Sequence, residues 1–106
     1  MTVKNLVVLS ESEQIQVSEI METYPMLKLT KDMKNLDLEK IMDIFCNQIT
    51  EYIKENENIE VKKLTWSFYG YDAPEDDALV FGIEEDEDGD PYLFDDIDDI
   101  IAYFSE

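Results

Sequence analysis

The chain has 106 residues, 44% of them hydrophobic, which suits a single domain over residues 1–106 with its own core and argues against disorder. It contains 27 Asp and Glu, 8 Lys, no Arg and no His. Its net charge of −19 disfavours binding to nucleic acid or anionic membranes. The lack of His excludes Ser-His and Cys-His catalytic pairs. Cys46 is the single cysteine, which excludes an internal disulfide, and no apolar run has the length of a signal segment or a membrane span, so we expect a cytoplasmic protein.

Two short strands are predicted in the first part of the chain. Leu6–Leu9 is an apolar run of the kind that forms a buried strand. A second short strand, at Met26–Leu29, would lie within the connection between the first two helices.

The first helix is predicted from about Glu11 to Tyr24. Ser10 and Glu13 have the spacing of a capping box, in which each side chain binds the backbone N–H of the other residue, and Pro25 marks the end of the helix. The predicted apolar face comprises Val17, Ile20, Met21 and Tyr24. The alternation around Ile15 leaves a strand as the alternative.

The clearest amphipathic pattern predicts a second helix in the middle of the chain. Apolar residues recur there at the three- and four-residue spacing of one helix face. They are Leu38, Ile41, Met42, Phe45, Ile49, Tyr52 and Ile53. Asp37 or Asn35 can cap this helix, and Asn56 or Asn58 can end it. Cys46 lies near the stripe and is expected to fill space in the core.

A β-hairpin is predicted in the C-terminal half. Its first strand runs from Ile59 to Tyr71 and alternates. The inward side chains of that strand are expected to be Leu64, Trp66 and Phe68. Residues 72–77 form the turn, and a return strand follows whose inward side chains are expected to be Leu79, Phe81 and Ile83.

The last helix is predicted from about Asp90 or Asp95 to Phe104. Asp90 and Pro91 have the composition of a cap and a first helical residue. The expected apolar face comprises Ile97, Ile100, Ile101 and Phe104. Together the elements predict an α+β fold, in which a small antiparallel sheet with its hairpin in the C-terminal half packs against three helices.

The acidic stretch before the last helix loosely follows a calcium-loop pattern. From Glu84 to Asp95, acidic residues occupy the first, third and fifth ligand positions, and Gly89 occupies the sixth. The Glu in first place, the Asp in last place and Pro91 depart from that pattern. A calcium-responsive module is therefore kept as an alternative function, while neither a bound metal nor a cofactor is expected. Carboxylate pairs are unavoidable at this composition, so they do not indicate an enzyme.

Charge is distributed unevenly along the chain. Residues 1–63 carry 12 acidic residues and all 8 lysines, whereas residues 64–106 carry 15 acidic residues and no basic one. A net charge of about 2 to 8 is enough to keep a small domain soluble. Further crowding of carboxylates lowers the stability of the compact state, so we expect the excess to serve the binding of a basic protein. The alternatives are a merely solvated face and halophilic adaptation.

The predicted partner-binding surface combines carboxylates with tyrosines. Its acidic residues are Asp72, Glu75, Asp76, Asp77, Glu84, Glu85, Asp86, Glu87, Asp88 and Asp90. Tyr69, Tyr71 and Tyr92 are expected to be exposed beside them as aromatic anchors. The alternative is that these tyrosines merely cover part of the sheet.

In small size, compact fold and extreme acidity with flanking tyrosines, the chain resembles bacterial immunity proteins that neutralise nuclease toxins, of the colicin and contact-dependent inhibition types. That resemblance implies a tight, specific complex with one basic toxin domain made in the same cell. The chain also resembles phage proteins that mimic DNA, including anti-restriction and anti-CRISPR inhibitors. For such a mimic, the candidate face is the outer side of the last helix, with Asp95, Asp96, Asp98 and Asp99.

Overall fold

Three α-helices and a three-stranded antiparallel sheet make up the computed structural model, which describes residues 2–69, 78–83 and 92–105. In chain order the elements are α1 (Glu11–Thr23), α2 (Leu38–Glu57), β1 (Thr65–Tyr69), β2 (Ala78–Ile83), β3 (Tyr92–Phe94) and α3 (Ile97–Phe104). Helix α1 contacts β2, α2 contacts β1 and α3 contacts β3. The predicted α+β fold, with its hairpin in the C-terminal half, is confirmed.

The sheet has the order β1-β2-β3, and both neighbouring pairs are antiparallel. Trp66 lies opposite Phe81, and Phe81 lies opposite Phe94, so one aromatic side chain from each strand forms a row across the sheet. The alternation of β2 is confirmed, because its inward side chains are all buried; these are Leu79, Phe81 and Ile83.

The first strand of the hairpin is shorter than predicted. It begins at Thr65, not at Ile59. Lys63 has a φ of 62°, a left-handed conformation that an extended strand cannot contain, and this residue separates β1 from the preceding chain. Trp66 is half-buried, and its indole N–H donates to Oδ1 of Asp43 on α2 at 3.3 Å. The side chain of Phe68 lies outside the described part of the structure.

The predicted strand at Leu6–Leu9 is wrong. A 3-10 helix at Val3–Asn5 is followed by a turn, in which the backbone N–H of Leu9 donates to the carbonyl of Leu6 at 3.2 Å. Leu6 and Leu9 are buried, whereas the two valines between them are 60% and 51% exposed. A spacing of three between buried residues is typical of a helical turn. A run of four apolar residues fits both such a turn and a buried strand, so the run alone did not distinguish them.

The predicted strand at Met26–Leu29 is also wrong, because a side chain takes the place of a neighbouring strand. The amide of Gln48 on α2 accepts from the backbone N–H of Lys28 and donates to its carbonyl, both at 2.9 Å. This pair of bonds holds the connection against α2, and Leu27 is buried beside it.

Both long helices begin at the residues that the sequence indicated. The Ser10–Glu13 capping box is present at α1, and Asp37 caps α2 by accepting from the N–H of Lys40 at 3.0 Å. Asn58, in a left-handed conformation with φ 54°, ends α2. The helix over residues 11–23 rules out the strand alternative around Ile15, which is 60% exposed.

The C-terminal helix starts later than the earliest predicted boundary. Tyr92–Phe94 is a strand, and α3 begins at Ile97 with Asp96 as its cap, so Asp90 and Pro91 do not begin the helix. Gly82 permits β3 to pair closely with β2, because an added Cβ there would lie 2.5 Å from the carbonyl oxygen of Tyr92. Of the predicted apolar face, Ile100 is buried, and the other three residues are half-buried.

The buried side chains form one hydrophobic cluster that includes residues from each of the three α-helices and from β2 and β3. Apart from Tyr24 and Cys46, which carry a hydroxyl and a thiol, the buried side chains among the described residues are apolar. In the same part of the chain, none of the helices combines the length and apolar composition that crossing a bilayer requires.

Candidate partner-binding surface

Most of the predicted partner-binding residues fall in segments 70–77 and 84–91, outside the described residues. They are Tyr71, Asp72, Glu75, Asp76, Asp77, Glu84, Glu85, Asp86, Glu87, Asp88 and Asp90. Tyr69 is the last residue of β1, where only its backbone is described. Tyr92 is the first residue of β3 and is 46% exposed, as expected for an anchor.

The sheet topology fixes where the two acidic segments join the described structure. Residues 70–77 connect the pair Tyr69 and Ala78, and residues 84–91 connect the pair Ile83 and Tyr92. These two pairs lie at opposite ends of β2, which at about 3.3 Å per residue separates them by roughly 17 Å. The two acidic segments therefore join the described structure at two separate points, and their predicted role in partner binding stays a prediction.

Four aromatic rings meet where β3 packs on α3, and we call them the aromatic cluster. Its members are Tyr92, Phe94, Tyr103 and Phe104. The ring centroids of Tyr92 and Tyr103 are 5.1 Å apart, and each lies within 5.6 Å of the buried ring of Phe94. The Phe104 ring lies 5.0 Å from that of Tyr103. Tyr103 was not among the predicted site residues, because its role depends on β3, which the sequence did not reveal.

Four carboxylates surround the start of α3, and we call them the Asp cluster. Its members, all exposed, are Asp95, Asp96, Asp98 and Asp99. Oδ1 of Asp96 accepts from the backbone N–H of Asp99 at 3.0 Å, and Oδ2 of Asp99 accepts from the N–H of Asp95 at 3.1 Å. The negative charge is therefore held at the positive end of the helix dipole. An eight-residue helix is only about 12 Å long, so the Asp cluster is compact, and duplex mimicry, which needs an elongated row of charges, stays a prediction.

Tyr24 joins α1 to this end of the sheet. Its ring packs edge-on against Phe81 with centroids 4.9 Å apart, and its hydroxyl lies 3.5 Å from the carbonyl oxygen of Phe94. Burial, and then the negative charges of Asp96, Asp99 and Asp95, hold the pKa of Tyr24 well above its usual value. Because Phe94 directly precedes Asp95, the Tyr24 hydroxyl lies beside the start of the Asp cluster.

The surface charge is barely neutralised within the protein. Among the described residues there is one ion pair, between Nζ of Lys62 and Oε2 of Glu60 at 3.9 Å, and both side chains are largely exposed. An exposed ion pair of this kind contributes little to the free energy of unfolding, about 0 to 1 kcal/mol. The described acidic residues of the C-terminal region, residues 64–105, thus have no basic side chain within ion-pairing distance.

Neither a reactive thiol nor a metal centre is found in the described part of the chain. Burial, and secondarily Asp43, raise the pKa of the Cys46 thiol to about 12, so the thiolate is scarce at neutral pH. The predicted core position of Cys46 is confirmed. No group of three or more potential metal ligands occurs within residues 2–69, 78–83 and 92–105. Of the calcium-like segment, the structure describes Asp95 and the strand that precedes it, so that alternative stays a prediction.

A shallow groove that the sequence did not reveal lies between α1 and the 3-10 helix at Val3–Asn5. It has a volume of about 590 Å³, and its apolar floor is formed by Val3, Met21 and Leu29. A smaller groove of about 310 Å³ continues along α1 to Ile15. No local sequence pattern indicates either groove, because their walls combine the N-terminal 3-10 helix with α1 and, in the larger groove, with Leu29.

Comparison with known proteins gives no assignment: no family model, no curated protein and no solved structure matches the chain. The function therefore has to be argued from the surface itself. That surface offers carboxylates without internal counter-ions and an aromatic cluster with one exposed tyrosine.

Proposed function

We propose that this protein is an acidic inhibitor that binds and neutralises a basic, nucleic-acid-acting protein, as an immunity protein for a bacterial nuclease toxin in the cytoplasm. The observation that carries the proposal is the uncompensated charge. Residues 64–106 hold 15 carboxylates and no basic residue, and the described ones form no ion pair. A surface of this kind attracts a partner whose own face is built to hold phosphates.

Charge and aromatic side chains would contribute to different steps of binding. Complementary fields speed association by about 10- to 1,000-fold and lose this effect as salt rises. Aromatic side chains packed against a partner mainly slow dissociation. The exposed carboxylates of the Asp cluster and the exposed ring of Tyr92 supply one group of each kind within a few residues.

Capture followed by an activity assay tests the proposal. The immobilised protein is exposed to lysate of its own source at physiological salt, bound proteins are identified by mass spectrometry, and the nuclease activity of each purified binder is measured with and without the protein. The expected result is one basic binder whose activity on nucleic acid is abolished. Binders that are not basic, or that keep full activity in the complex, would refute the proposal.

Matched charge variants then test whether the C-terminal carboxylates are responsible. One variant carries Asp76→Asn, Asp77→Asn, Asp86→Asn and Asp88→Asn. The control removes the same charge elsewhere, through Glu19→Gln, Glu22→Gln, Glu51→Gln and Glu55→Gln, all exposed on α1 and α2. We expect about a tenfold slower association for the first variant and little change for the control. Equal effects would mean that net charge matters and no acidic site exists.

A further inference from the structure

The rings of Tyr92 and Tyr103 form an aromatic pair where β3 packs on α3, and Asp99 lies one helical turn before Tyr103. Their centroids are 5.1 Å apart with an interplanar angle of 42°, and Tyr92 is 46% exposed. Asp99 lies four residues before Tyr103 on α3, so the two share one helix face with Cβ atoms about 5 to 6 Å apart. Helical side chains lean towards the N-terminus, which directs Tyr103 towards Asp99.

The orientation of that carboxylate is fixed by the backbone. Oδ2 of Asp99 accepts from the N–H of Asp95, and the N–H of Asp99 itself donates to Asp96. Asp99 is therefore held in place before any partner binds, which reduces the side-chain ordering that binding would require. A fixed carboxylate thus lies one helical turn before Tyr103 on the same face of α3.

An arginine side chain matches this combination better than any other natural cation. Its guanidinium group is planar, stacks on aromatic faces, binds carboxylates through two parallel N–H groups and is weakly hydrated. A lysine ammonium is a strongly hydrated point charge that lacks the stacking plane. The chain itself contains no arginine and has no basic residue after position 63, so the guanidinium has to come from another molecule.

We propose that Tyr92, Tyr103 and Asp99 bind one arginine side chain of the basic protein partner. This inference rests on the proposed function and specifies one chemical contact within it. The guanidinium stacks on the tyrosine pair and donates to the Asp99 carboxylate. The contact distinguishes arginine-rich partners from lysine-rich ones, which the overall charge cannot do.

The test uses a peptide probe and does not require the natural partner. Acetyl-Gly-Arg-Gly-amide and its lysine counterpart are titrated into the full-length protein, and the tyrosine ring resonances are followed by NMR. Saturable shifts are expected at Tyr92 and Tyr103 with the arginine peptide, and binding by the lysine peptide is expected to be about two- to fivefold weaker, given typical exposed cation–π energies.

Three variants and a control locate the contact. Tyr92→Phe retains the ring and should retain binding, whereas Tyr92→Leu should weaken it about two- to fivefold. Asp99→Asn keeps the acceptor for the N–H of Asp95 but removes the charge, and it should weaken binding as well. Tyr52→Leu is the control, because Tyr52 is 38% exposed on α2 beside Glu51 and Glu55.

Failure of this contact and failure of the proposed function give different results. Equal binding of both peptides, or equal shifts at Tyr52 and Tyr92, would overturn the arginine contact while leaving the charge-variant experiment unaffected. A captured partner that is not inhibited would overturn the function even if the arginine peptide binds. If Tyr92→Leu does not fold, the comparison of the arginine and lysine peptides and the Asp99→Asn variant still decide whether the contact exists.

Discussion

Helices α2 and α3, one in each half of the chain, differ in what they bury. Helix α2 has 20 residues and a fully buried stripe that includes Ile41, Phe45 and Ile49. Helix α3 has eight residues, of which only Ile100 is fully buried, and its first turn contains Asp98 and Asp99. The longer helix contributes mainly to the core, whereas the shorter one contributes mainly carboxylates to the surface.

The C-terminal region completes its core with residues from the first half of the chain. Phe81 packs against Tyr24 at the end of α1, and the Tyr24 hydroxyl lies near the Phe94 carbonyl. The buried residues of both halves belong to one cluster. Apolar packing against the first half of the chain, which is nearly charge-balanced, therefore opposes the mutual repulsion of the C-terminal carboxylates. Mutations in the two halves should accordingly have different effects on stability.

Truncation of the α2 core should have the largest effect. Phe45→Ala removes a ring with no exposed surface and is expected to lower the free energy of unfolding by about 3 to 5 kcal/mol. Phe104→Ala removes a phenyl ring that is only half-buried on α3, so it should lower the free energy of unfolding by less than Phe45→Ala does. Urea denaturation of both variants provides the measurement. Equal losses would show that α3 contributes to the core as much as α2.

The next largest effect concerns the α2 thiol at alkaline pH. The pKa of Cys46 is raised from 9.0 to about 12, so the folded state keeps a proton that the unfolded state releases. Its contribution to stability is complete below pH 9 and is lost as pH rises towards 12, at up to about 1.4 kcal/mol per pH unit. Cys46→Ala should show a shallower loss of stability between pH 9 and 11 than wild type. Identical slopes would mean that the thiol ionises without unfolding.

These two predictions concern the part of the fold that the sequence indicates most directly. The α2 stripe, the capping box at Ser10 and the alternation of β2 all depend on neighbouring residues and on burial of one face, so local patterns predict them. The strand expected at Leu6–Leu9 failed because four apolar residues fit a buried strand and a helical turn equally well. The backbone bond from the N–H of Leu9 to the carbonyl of Leu6 marks the turn, and the N–H of Val7 donates to the carbonyl of Lys34, a distant contact that no local pattern reveals.

The candidate surface was less predictable, because it also depends on contacts between residues that are far apart in the sequence. The acidity of the C-terminal half is evident from composition alone. The Tyr92–Tyr103 pair is not, because it requires a three-residue strand that exists through its pairing with β2 at Gly82. Non-local pairing leaves little trace in so short a segment.

The close approach of β3 to β2 gives a third prediction, of intermediate size. Gly82→Ala would place a Cβ within 2.5 Å of the Tyr92 carbonyl oxygen, so the strands must separate. We expect a loss of about 1 to 3 kcal/mol, typical of overpacking. NMR shifts should be concentrated at β3 and the aromatic cluster, with α2 unchanged. Val80→Ala, in the same strand, is the control, and shifts spreading into α2 would contradict the division between the two halves.

The smallest expected effect comes from the caps of the two helices. Asp37→Ala at α2 and Asp96→Ala at α3 each remove a carboxylate that accepts from a backbone N–H, a change worth about 1 kcal/mol. At α3 the loss should be smaller, because removing one charge also relieves repulsion within the Asp cluster. Asp96→Asn, which retains an acceptor, should be neutral or stabilising.

High salt distinguishes the loss of the cap hydrogen bond from the relief of charge repulsion within the Asp cluster. Near 1 M salt the Debye length falls to about 3 Å, so repulsion within the Asp cluster is screened while the hydrogen bond remains. Thermal unfolding of Asp37→Ala and Asp96→Ala should then show losses that converge on the same value. If the difference persists at high salt, it comes from packing, and the carboxylates of α3 do not repel one another enough to affect stability.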